Sequence, residues 1–169
     1  MPQLLEGSCH CGAIRFIAQS STFVPYQLCL CSICRKTCGA GGSINLAADI
    51  DTFLVRQGKE HIRVYEAGVD CDSDDFDDED DESVPLSRSF CTKCSAMLWI
   101  YDDNRPGFIY PFASAIDYPE LENPKVLVVV HASSKSAYVR LPEGEKIVYD
   151  EDANFSAEEW HKKHGKFVE

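Results

Sequence analysis

Several features that would place a chain quickly are missing here. There is no long apolar run: the longest, Val126 to Val130, is far too short to span a bilayer. The start, Met1-Pro2-Gln3-Leu4-Leu5-Glu6-Gly7, has neither the basic region nor the apolar stretch of a secretory signal. No membrane and no export are expected, so the expected setting is cytoplasmic. Positive charge is scarce as well. Sixteen Lys and Arg stand against 28 Asp and Glu, for a net charge of −12. With no basic patch, a nucleic-acid partner is not expected. No internal repeat is visible beyond recurring cysteine pairs.

Cysteine, by contrast, is abundant, with nine in 169 residues. An odd number without an export signal argues against a disulfide framework. In a reducing compartment such thiols read as metal ligands. Acid is abundant too, but local. Ten of the 28 acidic residues lie between Asp70 and Glu82, and without them the charge would be −2. Like charges at that density repel and cannot join a core, so a disordered, solvated insertion is expected at 70–82. Asp70, Asp72 and Asp74 have the spacing of a calcium loop. However, Asp75 stands where the turn glycine belongs and Asp81 where the closing Glu belongs. Cys71, inside the run, reads as a bystander.

The length fits one domain, 1–169, with its core at about 7–140. The pattern is of short strands and turns, which predicts an all-β fold with little helix. Strands are expected at Ala13–Ala18, Ser43–Ala47, Phe53–Arg56, His61–Glu66, Met97–Tyr101, Phe108–Tyr110 and Val126–His131. Edge strands are expected at Ala137–Arg140 and Lys146–Tyr149. Ser20 to Pro25 reads as a loop. One helix is expected, at 156–164 in a C-terminal extension. Ser156 and Glu159 would form its capping box and Gly165 its stop.

Seven cysteines carry the chemistry. Cys9 and Cys11 form a C-x-C; on a strand, residues i and i+2 face one side and can chelate one ion. Cys91 and Cys94 form a C-x2-C about 80 residues later. Together the pairs make a closed four-cysteine set, the pattern of a structural zinc. Cys29, Cys31 and Cys34 are a second set, C-x-C-x2-C, with Cys38 four residues on. Three thiolates leave a zinc one open position, which marks a catalytic site; Cys38 as a fourth ligand would close it. Spacing leaves both readings open. Three thiolates exceed the charge of one zinc, so cations should sit nearby. Arg35 and Lys36 are placed to do that, or to meet an anionic substrate. Among the histidines, His10 should point away from its flanking cysteines. His131 reads as a satisfied histidine at the end of an apolar strand, and His161 and His164 read as solvated.

The motifs Gly7-Ser8-Cys9-His10-Cys11-Gly12-Ala13-Ile14-Arg15-Phe16, then Cys29-x-Cys31-Ser32-x-Cys34-Arg35-Lys36 with Gly39-Ala40, then Phe90-Cys91-x2-Cys94, run in that order. They resemble the glutathione-dependent formaldehyde-activating enzyme and centromere protein V domain family. The likeness covers about Gly7 to Val139, with the acid run as an insertion. It implies tent-like β-sheets and two zinc ions per chain. Cys9, Cys11, Cys91 and Cys94 would hold the structural zinc, and Cys29, Cys31 and Cys34 the catalytic one. It also implies a carbon–sulfur lyase that joins glutathione and formaldehyde to S-hydroxymethylglutathione. The partner would be a small thiol such as glutathione, with Arg35 and Lys36 as its binding cations; a homodimer is left open. The chain departs from the family pattern at Leu30, where relatives often have histidine, at Ser95, where glycine usually follows the second knuckle, and at Cys38. A non-enzymatic zinc module that binds a protein through the acid run is the competing reading.

Overall fold

The computed structural model describes residues 1–67 and 86–169. The acid run, its calcium-loop reading and Cys71 lie outside the described residues.

Twelve strands, β1 (Gln3–Ser8), β2 (Arg15–Thr22), β3 (Gln27–Cys29), β4 (Ser43–Ile44), β5 (Ala47–Gln57), β6 (Ile62–Ala67), β7 (Leu86–Cys91), β8 (Met97–Tyr101), β9 (Phe108–Pro111), β10 (Ile116–Tyr118), β11 (Val126–Val130) and β12 (Glu145–Val148), form two sheets. The larger is antiparallel, in the order β10-β1-β2-β5-β9-β8-β7-β6. The smaller, β12-β11-β3-β4, is mixed: β11 runs parallel to both β12 and β3, and β3 runs antiparallel to β4. The fold is mainly β, as the pattern of short strands predicts.

Alternation sets the inner face of the large sheet. Along β2, Phe16, Ala18, Ser20 and Thr22 are buried while their neighbours are not. That is period-two patterning over a half-buried surface. Phe16 meets Trp99 edge-on at 5.1 Å, and Trp99 meets Phe53 at 4.8 Å. Leu5, Ile14, Leu46, Leu98 and Phe112 complete this core. In the small sheet Val128, Val129 and Val130 are all buried, because β11 is covered on both faces.

The chain departs from the sequence expectations in five places. Cys9 and Cys11 lie in the turn between β1 and β2, not on a strand. The cysteine segment holds a second short helix, α1 (Ser32–Cys38), besides the terminal α2 (Ala157–Lys163). Ser20 to Thr22 continue β2, so the expected loop begins later. Ala137–Arg140 forms no strand. His161 is fully buried rather than solvated. Its Nδ1 meets the Ala157 carbonyl at 2.7 Å, and its Nε2 accepts the Val24 N–H at 3.1 Å. The cap of α2 has the expected form: Ser156 and Glu159 bond reciprocally, and Gly165 follows with φ of 64°. Trp160 stacks on Tyr26 at 4.4 Å and ties α2 to the small sheet.

Candidate metal centres

Two groups of thiols converge. In the first, Cys9 and Cys11 come from the β1–β2 turn, Cys91 from the end of β7, and Cys94 from the turn that follows. Their sulfurs all lie within 4.8 Å of one another. Cys9 Sγ is 3.5 Å from Cys11 Sγ, and Cys11 Sγ is 3.9 Å from Cys91 Sγ. Backbone N–H groups support the set: Ile14 donates to Cys9 Sγ at 3.2 Å and Lys93 to Cys91 Sγ at 3.4 Å. The bond from Ile14 favours the thiolate form of Cys9. Zinc–sulfur bonds of about 2.3 Å in a tetrahedron put sulfurs about 3.8 Å apart, so this donor set fits zinc. Ser95 closes the second knuckle with φ of 59°, the left-handed conformation that glycine adopts without strain.

The second group is Cys29, Cys31 and Cys34, also within 4.8 Å of one another. Cys29 ends β3, Cys31 is the N-cap of α1, and Cys34 lies one turn into that helix. Cys31 Sγ accepts the Cys34 N–H at 3.4 Å, so the helix start holds two of the thiols in register. The segment from Ser32 to Cys38 lacks proline and glycine, and Gly39 begins the glycine-rich turn that ends the helix. Gly42 makes the close return possible. Its φ is 80°, and a Cβ there would sit 2.2 Å from the Cys29 carbonyl oxygen. Cys38 does not join the group; its sulfur contacts the Thr37 hydroxyl at 3.5 Å.

Within the three thiols, one is set apart electrostatically. Hydrogen bonds from Cys29 and Cys31, then from Ser43, and the positive charge of Arg88, hold Cys34 far below the ordinary thiol range. The Cys29 thiol is pushed up by its bonds to Cys31 and Cys34 and by burial. Three sulfurs this close together suit zinc, which thiolate-rich sites select.

The cations are not where the sequence suggests. Arg35 is half-buried and turned to protein acceptors: Nε donates to the Leu30 carbonyl at 3.1 Å and Nη1 to Ser136 Oγ at 3.0 Å. Lys36 is exposed. The cation on the thiols is Arg88 of β7, which is 2% exposed and places Nη2 3.6 Å from Cys34 Sγ. Nothing in the local pattern Ser87-Arg88-Ser89 signals a buried arginine. The one available clue is the charge surplus of three thiolates.

His10 is exposed and belongs to neither group. His131 pairs with Asp152 at 3.0 Å and is likewise in neither. His164, the C-cap of α2, is exposed. Leu30, between the first two thiols of the second group, is fully buried and packs with Leu28 and Val129.

Alternation along β3 gives the segment two faces. Gln27 and Cys29 line a cleft of about 540 Å³, together with Asn45, Arg105, Tyr110 and Asn154. Leu28 and Leu30 line a larger cleft of about 700 Å³ on the other face. The smaller cleft is the one that reaches a thiol of the second group, and it is the candidate approach to that centre. Arg105, in the turn before β9, carries no motif in the sequence that marks it as a cleft residue.

The comparisons with known proteins agree with this geometry. The model of the glutathione-dependent formaldehyde-activating enzyme family matches residues 4–132. The chain belongs to that family. It is 40% identical over 167 residues to a Halomonas elongata protein named "Putative glutathione-dependent formaldehyde-activating enzyme", covering 96% of this chain and 97% of that one. A crystal structure of a Rhodobacter sphaeroides protein shares the fold, with a TM-score of 0.51 at 21% identity over 70% of this chain and 91% of that one. The family match ends near Ala132. The part of the cleft wall from Asp152 to Glu159 therefore lies beyond it. Among the described residues, no helix is long and apolar enough to cross a membrane.

Proposed function

We propose that this chain is a zinc-dependent carbon–sulfur lyase that interconverts glutathione plus formaldehyde with S-hydroxymethylglutathione. The observation that carries the reading is the three-thiol group: among the described residues no fourth ligand atom joins it within 4.8 Å, and one of its members, Cys29, opens on a cleft. Membership of the glutathione-dependent formaldehyde-activating enzyme family supports this substrate pair. Cys29, Cys31 and Cys34 would hold the catalytic zinc, and Cys9, Cys11, Cys91 and Cys94 the structural one. A zinc with an open position supplies Lewis acidity and makes a thiol ionise near neutral pH.

The chain's own residues then bind and orient. Gln27, Asn154 and Tyr110 offer polar groups along the cleft, and Arg105 offers a cation to a carboxylate of a peptidyl thiol. Burial pushes the Tyr110 phenol above its usual range, so it stays protonated and can donate a hydrogen bond. Arg35 ties the thiol segment to Ser136, while Lys36 remains at the surface beside it. In the reaction the thiol sulfur donates its pair to the formaldehyde carbon. The carbonyl π pair moves to oxygen, which gains the proton the thiol lost. The reverse breaks the same carbon–sulfur bond. Seven thiols stay available as ligands only where they stay reduced, which suits a cytoplasmic setting.

The test is the exchange rate between formaldehyde and S-hydroxymethylglutathione, read by magnetisation-transfer NMR against the uncatalysed rate. The zinc-loaded protein should accelerate exchange, and Cys31→Ser should abolish the acceleration. No acceleration by protein holding two zinc ions would sink the reading and favour a non-enzymatic module.

A further inference from the structure

A buried cation without a carboxylate partner needs an anion, and among the described residues Arg88 has only a sulfur to serve. Its side chain is 2% exposed, with the guanidinium carbon 6.0 Å from the Phe112 ring centre. Nη2 points at Cys34 Sγ, 3.6 Å away, and among the described residues Nε and Nη1 have no hydrogen-bond partner. Arginine does not lose its proton in a protein, so the charge is permanent. A permanent charge held in a dry site persists only if an opposite charge offsets it.

Three thiolates carry −3 and a divalent metal carries +2. The difference is one negative charge, and Arg88 offsets it. The four-thiol group carries one charge more, but Cys11 is exposed to solvent, and water serves there in place of a fixed cation. We propose that Arg88 is a positioning residue of the second centre: its guanidinium is the fixed counter-charge that orients Cys34 and lets a buried three-thiolate metal site form. This inference rests on the reading of Cys29, Cys31 and Cys34 as metal ligands. A neutral centre can take an added thiolate at the cost of one net charge. A centre without Arg88 would reach two.

The test compares wild type, Arg88→Lys and Arg88→Met as full-length, metal-loaded protein. Each is titrated with a chromophoric zinc chelator, and each is also studied with cobalt in place of zinc. The four-thiol site is the internal control. Arg88→Met should weaken the second metal by about 10- to 100-fold, the range seen when a group that orients a metal ligand is removed. The first metal should be unaffected. The thiolate-to-cobalt band of the second site should shift in Arg88→Met, and Arg88→Lys should recover most of the affinity. Equal weakening of both metals would mean that Arg88 merely holds the fold together, and unchanged affinity would mean that the charge is idle; either overturns the proposal. A wild type that binds a single metal overturns the metal reading as well. Failure of glutathione exchange, with these metal results intact, would count against the proposed reaction and leave Arg88's role standing.

Discussion

The four-thiol group draws its ligands from two turns about 80 residues apart, whereas the three-thiol group takes all of its ligands from the six residues Cys29 to Cys34. The first joins the β1–β2 turn to the β7–β8 turn, and its Cys9 lines a cleft of about 560 Å³ while Cys11 is exposed to solvent. The second sits where β3 meets α1, with a buried arginine on one sulfur and a cleft on another. On the proposed reading the same ligand type would do two jobs: the distant pairs would close a loop and hold the fold, while the local triplet would leave one side of a metal to something else. What separates them is the surroundings: solvent at Cys11 in one, a fixed cation at Cys34 in the other.

The largest expected effect breaks the comparison at its root. Structural zinc contributes on the order of 10 kcal/mol to folding where the site is absent from the unfolded chain. Cys91→Ser should therefore lose the cooperative thermal transition altogether. Cys31→Ser should keep the transition and one metal per chain while losing activity. Calorimetry with metal analysis separates the two outcomes, and equal behaviour of both variants would erase the distinction.

Next is Gly42→Ala, which acts on the second centre alone. Its Cβ would overlap the Cys29 carbonyl at a backbone conformation unfavourable to alanine. A loss of about 2–4 kcal/mol in urea unfolding is expected. The second metal should weaken with it and the first should not.

Acid should loosen the cleft wall before it affects the large sheet. Burial, and to a lesser degree the neighbouring His164, depress the His161 pKa below its usual value. The folded state thus binds fewer protons than the unfolded state once pH falls below about 6.5. Stability is full above that value and should fall by up to about 1.4 kcal/mol per pH unit below it, until the depressed value is passed. His161→Gln should flatten that slope in pH-dependent unfolding. An unchanged slope would mean the histidine is not its source.

The smallest effect sharpens the first centre. Ser95→Gly relieves a left-handed conformation and should stabilise by about 1 kcal/mol in the same unfolding assay, with both metals unchanged.

Legibility followed the strength of the local signal. Met97–Tyr101 is uniformly apolar and is β8 residue for residue. The capping box fixed α2, because its two partners lie three residues apart and need nothing else. The short α1 was hidden, since its seven residues hold a single large aliphatic side chain, Ile33, and so carry no apolar stripe. Ala137–Arg140 alternates like a strand but has no neighbour to pair with. His161 looked solvated because the helix's polar neighbours, Lys162 and Lys163, say nothing about Tyr26 packing across it. The thiol spacing was legible at once. Arg88 was not, because the charge surplus of the triplet sends the eye to Arg35 and Lys36 next door. The fold answers it from a strand 54 residues away.

The central claim is that one centre is closed and the other open. The direct measurement is a glutathione titration of the dicobalt protein, following the thiolate-to-cobalt absorption. One of the two cobalt ions should respond, with the same response in Cys38→Ala and none in Cys31→Ser. A spectrum in which neither ion responds, or in which Cys38→Ala releases the second cobalt, would show a closed second centre and contradict the account.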